Sequence, residues 1–229
     1  MQFTTAPPPA PSLSRWWRLC RQFPGVSTIR KLEYELLERL DLSGRVLDVG
    51  GGEKSLYIKR LPQGIDYSSV NIDPDAEPTW LVEPGDPLPI EDAAFDKCLS
   101  LNTLEHVFDP QQILEEMHRV LRPGGVVYIT VPWMFRIHGH PDDFHRVTPS
   151  WWRQALAEIG YSRATVTPLI WGRAAMGLNM TGGGKLRRHA AHAWDSIGAS
   201  LYFRRGVYDG QRGERICNIA EGHFISAIK

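Results

Sequence analysis

The stretch Val46-Leu47-Asp48-Val49-Gly50-Gly51-Gly52 runs a short, mostly apolar segment straight into three glycines. A short apolar run closed by glycine reads as a strand buried on both faces. A backbone that turns sharply at a strand's carboxyl end, and lets another group approach to van der Waals contact, needs residues without Cβ. A purely structural glycine turn fits the same pattern, so the run alone leaves two readings open. It is not Gly-x-Gly-x-x-Gly and no Gly-Lys-Ser/Thr follows, so phosphate cradling is disfavoured. Asp48 also argues against phosphate and suits a ligand that carries an ammonium group or a hydrogen-bond donor.

Outward from the turn, strands and helices alternate. Asp73 closes the next strand-like stretch, 68–73, about twenty residues on, where a carboxylate accepts hydrogen bonds from the two hydroxyls of a ribose. Further strands are expected at 79–83, 95–102, 126–132 and 164–171, with the last inside 216–228. Ile29, Leu32, Leu36, Leu37 and Leu40 recur at helical spacing, which predicts an amphipathic helix over 27–42. Asp109 before Pro110 marks the start of a helix to residue 121, and Thr148 before Pro149 the start of one closed by Gly160. Strands alternating with helices across short turns predict an α/β fold, a mostly parallel sheet with helices on both faces. Residues 1–24 divide into a Pro-rich stretch and RWWRLCRQF (15–23), expected as a mobile arm that ends in a short helix bearing Trp16 and Trp17. The domain proper is expected over 25–229, with an insertion at about 172–215.

The 229 residues suffice for one sizeable domain. Lys plus Arg number 26 and Asp plus Glu number 26, so no overall field points to nucleic acid. Cys20, Cys98 and Cys217 lie far apart without a Cys-x-x-Cys pair, which speaks against a disulfide framework or a cysteine zinc site. With no secretory h-region and no apolar run of bilayer length, a cytoplasmic protein is expected.

VLDVGGG (46–52), NIDPD (71–75), PLPIEDAAFDKCLSLNTLEHVFDP (87–110) and LEEMHRVLRPGGVVYITVP (114–132) together resemble the successive motifs of class I S-adenosylmethionine-dependent methyltransferases. The resemblance implies a Rossmann-like sheet of seven strands with a reversed final β-hairpin. S-adenosyl-L-methionine is then the cofactor and S-adenosyl-L-homocysteine the product. On the same resemblance, Asp48, Gly50, Gly51 and Gly52 border the methionine part and Asp73 holds the ribose. Glu83 or Asp86 reaches the adenine amine, a choice left open. Leu101 and Asn102 line the methyl-bearing side.

Acceptor-side chemistry is less legible. In ubiquinone-type O-methyltransferases, Glu-x-x-Glu-His at the end of the fourth strand holds a divalent metal. Here Glu105-His106 is present but Asn102 stands at the first position, so no metal is expected. The segment His138-Gly139-His140-Pro141-Asp142-Asp143-Phe144-His145-Arg146 places three imidazoles and two carboxylates on one loop. It reads as a general-base loop, with His145, His140 or His138 taking a proton and Asp142 assisting. The same residues allow a metal site, though one without a well-defined fourth ligand, or a lid held by ion pairs of Asp142, Asp143 and Arg146.

Over 173–205 the basic residues Arg173, Lys185, Arg187, Arg188, Arg204 and Arg205 face one acid, Asp195. With Ala190, Trp194, Ile197, Leu201 and Tyr202 along one side of an expected helix, 185–205 suits a lipid surface or lipid-linked substrate, an anionic acceptor, or packing on the domain or a second subunit. The reading of the whole is a methyltransferase acting on a hydroxyl, with an amine as the lesser alternative, of a small-molecule or saccharide acceptor, and with a homodimer as one arrangement. The rival is a non-catalytic partner subunit that keeps the fold. Nucleic acid is not expected as a partner, because no base-amine motif is present.

Overall fold

Asp109 accepts a hydrogen bond from the Gln112 amide (3.2 Å) ahead of α3 (Pro110–Val120), and Thr148 caps α4 (Pro149–Ile159) through the Trp151 amide (3.3 Å). Each cap satisfies an N–H that the helix cannot, and the following proline brings a preset φ. Gly160, at φ 107°, ends α4 in the left-handed region. The chain is described by a computed structural model over residues 1–139, 142–203 and 218–229, with backbone alone at 200–203.

The strands are β1 (Gln2–Thr5), β2 (Arg45–Val49), β3 (Asp66–Asn71), β4 (Trp80–Leu81), β5 (Phe95–Leu101), β6 (Leu121–Pro132), β7 (Arg163–Leu169) and β8 (Gly222–Ile228). They form one sheet in the order β1-β7-β8-β6-β5-β2-β3-β4. All neighbours are parallel except β8, which runs antiparallel between β6 and β7. This is the Rossmann-like α/β sheet with its reversed last strand. It has eight strands among the described residues rather than seven, and the additional one is β1.

Successive side chains of the central strands enter opposite layers, as the pleat requires. Leu47, Val49, Cys98, Val127 and Ile129 pack with Leu114 and Met117 of α3 and Trp152 and Leu156 of α4. Val46, Leu99, Leu101 and Tyr128 pack on the other face with Leu19 of α1 (Leu13–Gln22) and Ile29 and Leu32 of α2 (Thr28–Leu37). The helix expected over 27–42 stops at Leu37, because Arg39 and Leu40 bond three residues back, to Leu36 and Leu37, and so tighten the last turn.

The N-terminal residues differ from the expected arm. Gln2–Thr5 pairs in parallel register with Arg163–Val166, tied by Gln2 N–H to Ser162 O (3.0 Å) and Ala6 N–H to Val166 O (2.9 Å). Without β1, the outer backbone groups of β7 would lack partners within the sheet. Trp16 is buried against Trp171, while Trp17 is exposed.

The insertion is a helix pair, α5 (Arg173–Thr181) and α6 (Lys185–Phe203), joined through Gly182–Gly184. Asp195 of α6 accepts from the amides of Ala174 (3.2 Å) and Ala175 (2.7 Å), so one helix caps the other. The face of α6 turned to the domain carries His192, Ser196 and Ala199, whereas Trp194 and Ile197 are exposed. Of the expected placements, packing of the Trp194 and Ile197 side on the domain is not what is found: Trp16 and Thr28 offer the His192 imidazole a stacking surface and a hydrogen bond there. The side chains of Leu201 and Tyr202, and residues 204–217, lie outside the described residues.

Candidate active site

The carboxyl ends of β2, β3, β5 and β6 converge on the glycine turn. Gly50, at φ 91°, bonds through its amide to Val70 O (2.8 Å). A Cβ on Gly50 would stand 2.1 Å from Thr103 Oγ1, one on Gly51 1.9 Å from Asp48 Oδ2, and one on Gly52 2.1 Å from Ala76 O. The three glycines are therefore demanded by protein packing, the structural reading of the run.

Asp48 is fully buried beneath this turn. Its Oδ2 accepts from the hydroxyls of Tyr57 (2.7 Å) and Tyr67 (2.8 Å), whereas buried Oδ1 has no hydrogen-bond donor among the described residues. Burial pushes the carboxyl up to about 6, with the two phenols pulling the other way. A buried oxygen without a donor costs free energy, so Oδ1 suits a cationic or donor group of a ligand at the turn. Tyr57 and Tyr67 were not legible as part of the site, since nothing in their spacing singles them out.

Asn71 donates to the carbonyls of Gly50 (3.0 Å) and Gly51 (3.1 Å) and fixes the approach of β3 to the turn. Asp73 follows, half-buried, and accepts from the Asp75 amide (2.9 Å) through Oδ1. Glu83 and Asp86 are both exposed and line a shallow depression with Leu81, Val82, Pro87 and Pro89, beyond the end of β4.

At the end of β5, Leu101 is buried in the layer beneath α2. Asn102 adopts φ 54°, its amide bonded to Thr130 O (2.9 Å) and its side chain to Thr130 Oγ1 (3.0 Å) and to Glu33. Glu33, buried on α2, also accepts from Thr130 (2.7 Å) and Arg30 (3.0 Å). A helix outside the matching motifs thus braces the strand end, a contact that sequence alone gives no sign of.

Glu105 follows, 1% exposed. Among the described residues no other residue hydrogen-bonds either carboxylate oxygen, and burial pushes its carboxyl up to about 8, against its own amide and the charges of Arg30 and Arg146. His106 Nε2 lies 3.6 Å and His138 Nε2 3.9 Å from Glu105 Oε1. His138, from the loop after β6, is half-exposed. Its amide donates to Asp143 (2.9 Å), and Arg146 holds Asp143 in turn and keeps that carboxyl down at about 2. Asp142 is exposed and offers its carbonyl to His106 Nδ1. His145 donates through Nε2 to Phe108 O (2.9 Å), its amide bonded to Glu105 O (3.2 Å). His140 lies outside the described residues. The structure therefore brings His138 to Glu105-His106, with the His145 ring tied to the Phe108 carbonyl and the Asp142 carbonyl on the His106 ring beside them.

Glu221, just before β8, is also fully buried at this end of the sheet. Asn179 of α5 donates to one of its oxygens (2.6 Å), and burial pushes the carboxyl up to about 8. It had no sequence signal.

Comparison with known proteins agrees with this geometry. A methyltransferase domain family matches residues 47–129. An uncharacterized methyltransferase of Mycobacteroides abscessus is 36% identical over 123 residues, covering 47% of this chain and 48% of that protein. One from Mycobacterium bovis is 37% identical over 107 residues, 42% of each. The chain thus spans about half the length of the curated relatives it matches. Among solved structures, a SAM-dependent methyltransferase from Archaeoglobus fulgidus superposes with a TM-score of 0.55 at 18% identity, over 93% of this chain and 99% of that one. The Haloferax volcanii complex of the Trm112 methyltransferase activator with a methyltransferase gives 0.52 at 16%, over 86% and 88%. Residues 47–129 thus match a methyltransferase domain, and the sheet around the glycine turn has the α/β fold of the solved methyltransferases it superposes on.

Proposed function

We propose that this domain moves the methyl group of S-adenosylmethionine to a hydroxyl of a small-molecule or saccharide acceptor seated between the 133–148 loop and the helical insertion. When bound, the cofactor supplies a methyl group on a sulfonium, an activated electrophile. Asp48 Oδ1, buried without a donor, is the observation that favours a seat for the cofactor's ammonium end at the glycine turn. Asp73 would hold the ribose hydroxyls and Glu83 or Asp86 the adenine amine. Asn102, braced by Glu33, would fix the wall beside the reacting methyl.

The protein's task is alignment and removal of one proton. The acceptor oxygen attacks the methyl carbon as the carbon–sulfur bond breaks, and the hydroxyl proton must leave. The imidazoles of the 138–145 loop, His138 and His145 among the described residues, stand where an acceptor would approach, at the carboxyl edge of the sheet. A hydroxyl needs such help more than an amine, which favours O-methylation. No helix among the described residues is long and apolar enough to cross a membrane. A lipid-linked acceptor would then meet the domain at its surface, where Trp194 and Leu186 are exposed near Arg187.

The test is binding and turnover together. Asp73→Ala is expected to abolish cofactor binding by calorimetry, whereas His138→Ala and His145→Ala keep binding and slow formation of S-adenosylhomocysteine with a hydroxyl acceptor. Equal loss of binding in all three would overturn the division of roles. A second reading, a partner subunit that keeps the fold, draws support from exposed Trp17 and Trp194 and from the Trm112 complex of the Haloferax volcanii relative. An intact domain that binds no cofactor would favour it.

A further inference from the structure

Two histidines and a buried carboxylate meet where the chain leaves β5 and β6. The coordinating atoms of Glu105, His106 and His138 all lie within 4.8 Å of one another. What occupies the space between them follows from the separations and from the ring tautomers.

The tautomers come first. His106 Nδ1 faces the carbonyl of Asp142, which can only accept, so this nitrogen carries the proton. His138 Nδ1 faces the carbonyl of Arg136 (3.2 Å) and the carboxylate of Asp143 (3.3 Å), again acceptors only. A neutral imidazole protonated at Nδ1 presents a lone pair at Nε2. Both Nε2 atoms lie within 4 Å of Glu105 Oε1, so three possible ligand atoms stand close together.

Distance decides between a proton and an ion as the bridge. Separations of 3.6 Å and 3.9 Å exceed the N–H···O range, so neither ring is hydrogen-bonded to the carboxylate. Around an ion with ligand bonds of about 2.1 Å and near-tetrahedral angles, neighbouring ligand atoms lie roughly 3.4 Å apart. The two separations from Glu105 lie within about 0.5 Å of that value, and all three atoms lie within 4.8 Å of one another. The surroundings have the same character. A metal-ligating histidine typically passes its other N–H to a carbonyl or carboxylate, as both do here. Asp143 is itself fixed by Arg146 and by the His138 amide.

We propose that Glu105, His106 and His138 form the protein face of a divalent-metal site at the acceptor edge. Two imidazoles and one carboxylate suit a zinc-type transition metal rather than magnesium or calcium, which prefer oxygen ligands. Three protein ligands leave a position open, as in catalytic sites. The role of the ion rests on the methyl-transfer reading. With an ion bound, His138 would act as a ligand and the ion would take over the proton removal proposed above, acidifying an acceptor hydroxyl at the open position: its O–H proton passes to water, its oxygen bonds the methyl carbon, and the sulfonium leaves as a thioether. Binding itself requires no turnover.

The experiment titrates the metal-stripped full chain with Co2+, followed by its visible absorption, and with Zn2+ by calorimetry. The expected result is one equivalent bound with a low-symmetry, four- or five-coordinate cobalt spectrum. His138→Ala, on the loop, and Glu105→Gln, which keeps shape, should each weaken binding by on the order of tenfold or more. His145→Ala, whose Nε2 serves Phe108 O, should bind as the parent does. A parent that binds neither ion, or a His138→Ala variant that binds as the parent does, overturns the site. So does His145→Ala weakening binding as much as His138→Ala, since loop collapse would then explain both. Cofactor binding, measured separately, reports on the methyltransferase reading whatever the metal result.

Discussion

The imidazole of His192 lies flat on the indole of Trp16, with ring centroids 3.6 Å apart and planes 15° from parallel. This contact joins the insertion to the first helix. Thr28 Oγ1 meets His192 Nε2 at 3.0 Å, His192 Nδ1 meets Arg188 O at 2.6 Å, and Trp171 donates to the His192 carbonyl at 3.0 Å. The ring is fully buried, and burial holds its pKa down at about 4, with His189, Arg188 and Lys31 adding positive charge nearby.

Acid should therefore loosen the insertion. A histidine depressed on folding contributes stability that is present above its ordinary pKa, about 6.5, and lost as pH falls towards 4. The loss amounts to at most about 3 kcal/mol. Amide protection factors across α6, which remove the intrinsic pH dependence of exchange, should fall between pH 6.5 and 4 in the parent chain. In His192→Phe, which keeps a ring against Trp16 but cannot be protonated, that fall should vanish. An unchanged pH profile in the variant would remove His192 as its cause.

Asp48→Asn should separate stability from binding. The Asp48 carboxyl is raised to about 6, so its folded-state penalty grows as pH climbs from about 4 through 6 and is complete at neutrality. An amide oxygen can still accept from Tyr57 and Tyr67. The variant should be more stable at pH 7, by up to about 3 kcal/mol in urea unfolding, with the gain absent at pH 4. Cofactor affinity should fall. A variant less stable than the parent at pH 7 would show that the carboxylate is held by something besides the two phenols.

Gly51→Ala should damage the turn itself. The added methyl would stand 1.9 Å from Asp48 Oδ2 and 2.6 Å from Tyr57 Oη, atoms held by each other. Overpacking of this kind costs about 1–3 kcal/mol or more. Chemical denaturation is expected to show that loss together with weakened cofactor binding, and parent-like values in both would contradict the packing described for the turn.

Glu33→Ala tests the brace on the strand end. Removing the carboxylate leaves Arg30, Asn102 and Thr130 without their shared acceptor. Loss of one partner from a buried charged pair costs about 3 kcal/mol or more. Glu33→Gln should recover part of the stability, because an amide oxygen still accepts. Equal stability of the two variants would assign the effect to packing instead of hydrogen bonding.

Much of this architecture is legible in one dimension because it rests on local rules. β2 and its glycines, the capped starts of α3 and α4, and the close of α4 at Gly160 follow from side-chain chemistry within a few residues. What stays hidden depends on distant partners. Gln2–Thr5 is a strand only because β7 lies beside it. The inward face of α6 is polar because Trp16 and Thr28 meet His192 there, so apolar periodicity alone does not tell which side of the helix meets the domain. Within the site, Asp48 and the glycines stand out, but the tyrosines beneath them do not. Glu105 and His106 are visible as a pair, whereas His138 joins them only after α3 and β6 have folded back.

The first strand has one more consequence. Its four residues cover backbone amides and carbonyls of β7 that would otherwise face outward as a bare template. A form of the protein shortened by those residues would keep the glycine turn and the histidine loop, but offer that template to another molecule of itself. Its defect would show as self-association that rises with concentration, while each remaining monomer kept its chemistry.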